Sequence, residues 1–329
     1  MRKPRRCADI IPVCCRRRIS NVGDMQLFSR DVTGKVDVSD PEAVCAAVLS
    51  ILQQRYDGVD ITPVGLMFSD FANLYRGEYS GFYACDTQYH DMQHVLDVTL
   101  ATARLIDGYD ASQLPAARLG GELAMVGVAV ALFHDAGYIR RKGDTRHQYG
   151  AEYTKIHVSR SSRFLAEYLP TTGLGWAAPM AAKLVHYTGY EIDPATIDLT
   201  DHKQRQLGAL IGSADVMAQM ADRAYLEKCR DHLFREFELG GLTREYDEFG
   251  VEHVRYASPL DLLRQTPEFI RHTLDDRLDK LFGSVYHYFG AHFGGPNLYL
   301  EAVERNRIAL EKLLAHCDDA LLLRTPLHI

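Results

Sequence analysis

The residues best suited to chemistry begin at His134 and Asp135, in the stretch ALFHDAGY at positions 131–138. An apolar run from Leu123 to Phe133, broken only by Gly127, leads straight into them. A buried helix accommodates such a run, but an imidazole and a carboxylate side by side at its end are costly there, because an unpartnered buried carboxylate loses several kcal/mol of hydration. A divalent cation would neutralise Asp135 and use His134 as well, whereas a helix cap or a solvated pair would explain the dipeptide without one. Gly137 suits a backbone turn at the end of that helix.

Other segments add residues of the same kind. His90 and His94 are four apart in YHDMQHVLDV, which on a helix puts both on one face, and Asp97 follows one turn later. His157 lies among Ile156, Val158, Phe164 and Leu165, and His186 ends the apolar stretch KLVHYTGY; each alone is also explained as a satisfied core histidine. Asp215 sits within LIGSADVMAQM, where a carboxylate needs a cation or several donors. Taken as a set, His94, His134, Asp135, His157, His186 and Asp215 can hold one or two divalent ions, with Asp135 as the bridge. Nitrogen and oxygen ligands without thiolate suit Fe, Mn, Zn, Co or Ni, and Mg in a water-rich position.

Helices must position these groups. Asp40-Pro41 reads as a helix start, with the carboxylate as cap. Apolar periodicity predicts helices over 43–54, 65–74, 88–106, 116–136, 148–169, 174–187 and 203–238, with further helical segments over 259–292 and 297–314. Residues 243–257 read as charged and irregular, and no strand pattern of period two persists. The expected fold is all-α, with helices packed around one site. Residues 1–35 read as a basic, disordered arm, 36–240 as the site-bearing domain and 241–329 as a helical extension packed on it.

Composition narrows the classes. A formal net charge of −7 argues against broad nucleic-acid binding, and every apolar run reads as shorter than a membrane span. Seven cysteines, Cys7, Cys14, Cys15, Cys45, Cys85, Cys229 and Cys317, are odd in number and unpatterned, which predicts reduced thiols and a cytoplasmic protein.

These motifs resemble the HD superfamily of metal-dependent phosphohydrolases over residues 88–237. YHDMQHVLDV resembles the YHNxxHAxDV signature of mammalian-type cyclic nucleotide phosphodiesterases, and FHDAGY resembles their HD doublet. HVSRSSRFL, residues 157–165, resembles the HPxxGxxLL stretch of HD-GYP cyclic dinucleotide phosphodiesterases, and LFREFELGG, residues 233–241, is similar to a stretch after the last metal aspartate of phosphodiesterases. The resemblance implies a helical HD-type bundle in which His94, His134, Asp135 and Asp215 hold a first metal. Asp135 would bridge to a second held by His157 and His186, and His90 would protonate the leaving oxygen. It departs from those families at Tyr138, where they carry histidine or lysine, and at Tyr187, where HD-GYP proteins carry a second histidine. The GYP triplet is absent, although Thr188-Gly189-Tyr190 follows.

The implied activity is hydrolysis of a small phosphate ester, a cyclic nucleotide or a relative, by metal-activated hydroxide. Two rivals share the ligand order: a mixed-valent diiron oxygenase of HD type and a non-catalytic nucleotide-binding module. His90 favours hydrolysis, since an oxygenase needs no acid there. Asp91 or Asp97 could orient His90 or His94, and Tyr138 and Tyr187 are further candidates beside the site. Arg140, Arg141 and Lys142 could meet phosphate or form a solvated loop. Tyr286–Phe289 with Phe293 could stack a base or simply pack, and Asn297, Gln265 and Gln219 are candidate amides for base contacts, with nothing in the sequence to choose among them. A homodimer is compatible with all of this.

Overall fold

A computed structural model describes residues 29–199 and 201–316. The chain is mostly helical, as expected: α1 Pro41–Arg55, α2 Thr62–Arg76, α3 Met92–Ser112, α4 Gly121–Phe133, α5 His157–Tyr168, α6 Ala178–Leu184, α7 His202–Ala221, α8 Tyr225–Lys228, α9 Phe234–Leu239, α10 Pro259–His272, α11 Tyr288–Phe293 and α12 Leu298–His316. Helix α3 is the hub, packed against α1, α4, α7 and α11. Gly108 allows the last of these contacts, because a Cβ there would lie 1.9 Å from the carbonyl oxygen of Tyr288.

Helix α4 is buried on nearly every side, which is why it is apolar all round rather than along one stripe. By length and composition the stretch Pro115–Tyr138 is apolar enough to cross a membrane, with a mean hydropathy of 1.6 over a window within its 24 residues. That corrects the expectation that no run would reach a span. Its regular helix is nevertheless only 13 residues, short of the ~20 a spanning helix needs, and it forms the core of the bundle.

The expected start of α1 is seen directly: the Asp40 side chain accepts from the Glu42 amide, with Pro41 in the first turn. Three boundaries differ. The stretch 203–238 is not one helix but breaks at Asp222, after which α8 and α9 are joined by a wide, π-helical turn at Cys229–Leu233. The stretch 148–169 is interrupted before His157, so that α5 begins at that residue. Residues 243–257 hold a small antiparallel hairpin, Arg244–Tyr246 with Glu252–Val254, whose strands are exposed on both faces and so lack the alternation that would have revealed them.

The expected basic arm spans residues 1–35, of which 1–28 lie outside the described residues, as do Cys7, Cys14, Cys15 and Cys317. The remainder is no arm: Ser29 and Asp31 are buried, and Asp31 accepts from Arg104 Nη2 on α3 at 2.5 Å. The C-terminal segment packs on the same core, α11 against α3 and α12 against α7. Phe289 stacks on Tyr299 of α12, with Phe293 tilted toward the same ring, and Asn297 donates to the Tyr286 carbonyl and caps α12, so this aromatic group packs helices.

Candidate metal centre

His94, His134 and Asp135 form a buried group whose ligand atoms lie within 4.8 Å of one another and could hold a metal ion. The Nε2 of His94 is 3.5 Å from Asp135 Oδ2 and 3.7 Å from Asp215 Oδ1. The Nε2 of His134 is 3.2 Å and 3.7 Å from the same two oxygens. Ligands bound at about 2.1 Å from one ion lie roughly 3 to 4 Å apart, so the spacing fits a shared cation.

The hydrogen bonding fits as well. His134 Nδ1 donates to the Ala131 carbonyl at 2.8 Å, which fixes the tautomer and leaves Nε2 to present a lone pair. That Nε2 and Asp135 Oδ2 are buried with no hydrogen-bond partner, although buried polar atoms are nearly always paired. Burial would raise Asp135, but the imidazoles of His134 and His90 outweigh it and hold the carboxyl well below its usual range. Burial pushes Asp215 up to about 6 against the pull of His134, and holds His94 well below the ordinary imidazole value.

Local structure explains how four residues from three helices meet. Asp91 caps α3 by accepting from the His94 amide at 2.8 Å; it does not orient either imidazole. His94 thus sits in the first turn of α3, His134 and Asp135 leave the end of α4, and Asp215 is inside α7. His90 precedes the cap, so it does not share a helical face with His94 as the spacing suggested; the loop brings its ring centroid to 5.5 Å from that of His94.

His157 approaches from the other side, its Nε2 3.7 Å from Asp135 Oδ1. Its Nδ1 donates to the Thr154 carbonyl at 2.7 Å, again freeing Nε2. Gly137 permits this approach. A Cβ on it would lie 1.8 Å from the His157 carbonyl oxygen, and its φ is not in the left-handed region. Close contact, rather than the expected turn, requires glycine there. Glu191 accepts from the amides of Val158 and Ser159 at 2.7 and 3.0 Å, capping α5 and thereby fixing His157. Tyr138 stacks on the rings of both His90 and His157, at 4.6 and 4.4 Å, and those two rings lie 6.1 Å from each other.

These groups open into a cavity of about 650 Å³. The structure places some expected residues outside it. His186 does not line the cavity, its Nδ1 being buried without a partner in the turn after α6. Tyr187 packs on Phe282. Asp97 faces Asp222, Asp31 and Arg104 instead of the imidazoles, and burial pushes it up to about 8. Lys142 is exposed on a turn, its amide donating to the Gly81 carbonyl, and Arg140 and Arg141 pair with Asp86 and Glu167, which is the solvated-loop alternative. Gln219 and Gln265 do line the cavity; Asn297 does not.

Other functional candidates were not foreseen. Glu236 on α9 pairs with His90 Nδ1 and also accepts from the backbone amides of Tyr89 and His90. Burial disfavours a charge on His90, but the Glu236 carboxylate, followed by Asp135, outweighs it and raises the imidazole to about 9. The signal was present in LFREFELGG, where an acid stands between phenylalanines, but only the fold shows its partner. Lys155, Glu191 and Arg277 also line the cavity. No protein-family model matches this chain, and neither a curated protein nor a solved structure matches it.

Proposed function

We propose that the chain is an HD-type metal-dependent phosphohydrolase acting on a phosphodiester, with a cyclic nucleotide as the first substrate to test. The observation that carries this reading is the His90–Glu236 pair set beside the group formed by His94, His134, Asp135 and Asp215. A redox centre has no evident use for an imidazolium at that position, whereas ester cleavage needs a proton on the departing oxygen.

His94, His134, Asp135 and Asp215 would hold one cation, and the second oxygen of Asp135 together with His157 would serve another. When bound, such ions supply Lewis acidity and bring the pKa of water down toward neutrality. The chain's own groups do the rest. Glu236 engages His90 Nδ1, which leaves Nε2–H as the proton the ring can deliver to the leaving oxygen. Tyr138, stacked on both His90 and His157, packs against the two rings and helps to hold their orientation. Outside this floor the cavity wall carries Phe237 stacked on Tyr256 at 5.6 Å, with Leu262 and Phe269, a surface suited to a planar base. The Gln219 and Gln265 side chains also line the cavity; Gln265 Nε2 already donates to the Arg255 carbonyl, so its oxygen is the atom that would meet a base edge.

The test is turnover by apo-protein supplied with Mn, Mg, Zn, Co, Ni or Fe, using bis(p-nitrophenyl) phosphate and a panel of cyclic nucleotides. Release of p-nitrophenol and a nucleotide monophosphate is expected with at least one ion. Two irons per chain, a mixed-valent EPR signal and oxygen consumption without phosphodiester cleavage would replace this reading with the diiron oxygenase.

A further inference from the structure

Arg277 is a buried cation with an unusual set of neighbours. It lies within Thr273–Leu281, a π-helical continuation of α10, and such wide turns recur at functional sites because they re-aim single side chains. The other charged residues of this segment, Asp275, Asp276, Asp279 and Lys280, are exposed, and Lys280 pairs with Asp276. Arg277 alone turns inward, 8% exposed, away from the acids beside it in sequence.

Its surroundings do not neutralise it. Nη2 donates to the Tyr187 and Gly189 carbonyls at 2.7 and 2.9 Å, and Nε is buried without an acceptor. The guanidinium carbon lies 4.3 Å from the Tyr190 ring centroid and 5.1 Å from that of Phe282. Among the described residues no carboxylate comes within 4 Å of it. Asp215 feels its charge from farther off, but a cation held by Asp215 would cancel that attraction. A buried charge without a counter-charge costs several kcal/mol, and two carbonyls with two aromatic faces offset only part of this. Arg277 also lines the cavity that opens over the ligand cluster.

We propose that Arg277 is the cavity's anion-binding residue, receiving a phosphate-class oxyanion of the ligand beside the metal-binding floor. Its fork of donors suits such a group better than a lysine would. The proposal deepens the hydrolase reading but does not need turnover to be tested.

The experiment is calorimetric titration of inorganic phosphate into the full chain as purified. It compares wild type with Arg277→Ala, Arg277→Lys, Arg277→Gln and the control Arg255→Ala, an arginine on the cavity wall that already pairs with Glu245. Arg277→Ala is expected to weaken phosphate binding at least tenfold, Arg277→Lys less, and Arg255→Ala not at all. If Arg277→Ala does not fold, Lys against Gln decides, since both can donate to the carbonyls but only Lys keeps the charge. Equal phosphate affinity in wild type and folded Arg277→Ala, or in the Lys and Gln variants, would reduce Arg277 to a brace for the Tyr187–Gly189 backbone. Phosphate binding that depends on Arg277 in a protein inert toward every phosphodiester would sink the hydrolase reading and leave this one standing. Intact turnover with phosphate binding indifferent to Arg277 would do the reverse.

Discussion

Two buried polar clusters share helices α3 and α7, and they are built on opposite plans. Along α3 and toward the N-terminal segment, Arg104 pairs with Asp31 and donates to the Tyr299 hydroxyl, while beyond α7 Lys228 pairs with Asp222, whose carbonyl accepts from Asn306. These charges largely answer one another, although Asp97 Oδ1 beside them is buried without a partner. At the other end of α3, His94, His134, Asp135 and Asp215 crowd together, yet His134 Nε2 and Asp135 Oδ2 have no partner. A cluster that closes on itself supports the fold, whereas one that leaves lone pairs converging in a cavity is set up to take a ligand.

The sharpest way to break this contrast is Asp135→Ala. It removes the carboxylate shared by both sides of the site, so metal content measured on purified protein should fall to background together with any turnover; unchanged metal would defeat the bridging assignment. His90→Ala comes next. It should keep its metal and lose about 10²- to 10⁴-fold in kcat, the usual worth of a positioned acid. Loss of metal in that variant would make His90 a ligand instead.

As the proposed acid, His90 would have to be protonated, and its pKa is raised to about 9, so activity should persist on the acid side and fall as pH rises through that value. Glu236→Gln removes the chief support for that charge and should move the alkaline limb down toward the ordinary imidazole range near ~6.5. A pH–rate profile that does not move would separate Glu236 from the acid.

The self-contained cluster should respond in stability alone. Arg104→Met leaves Asp31 buried and unpaired, at an expected cost of about 3–5 kcal/mol in denaturant unfolding, with metal content unchanged. Asp97 gives the opposite sign. Its folded carboxyl, pushed up to about 8, remains protonated where the unfolded one, near 3.8, ionises. The stability it contributes is therefore full below the unfolded value and is lost as pH rises through about 8. Asn has no such dependence, so Asp97→Asn should raise Tm by more at pH 8 than at pH 5. A larger gain at pH 5 would contradict this.

Much of the architecture was legible because helices declare themselves locally. The Asp40 cap, the apolar run of α4 after Glu122 and the turn at Gly294-Gly295 before α12 follow from side chains a few residues apart. The hairpin was missed because exposed strands on both faces carry no alternation, and the break before His157 because the residues on either side would fit a helix. His94, His134, Asp135, His157 and Asp215 could be named in advance, since each is a polar group in an apolar setting. His186 met the same criterion yet lies outside the cavity, which shows the limit of judging a histidine by its flanks.

The sequence by itself therefore determined the helical class and the identity of the groups that burial would penalise, because both are set by periodicity and solvation. Tertiary structure alone decided which of those groups share a space. It turned Asp97 toward Arg104, joined Glu236 to a histidine 146 residues away, and aimed Arg277 inward from among its acidic neighbours. Such pairings depend on how helices dock and where a π-helical turn rotates one side chain, and neither is written in the spacing of the residues concerned.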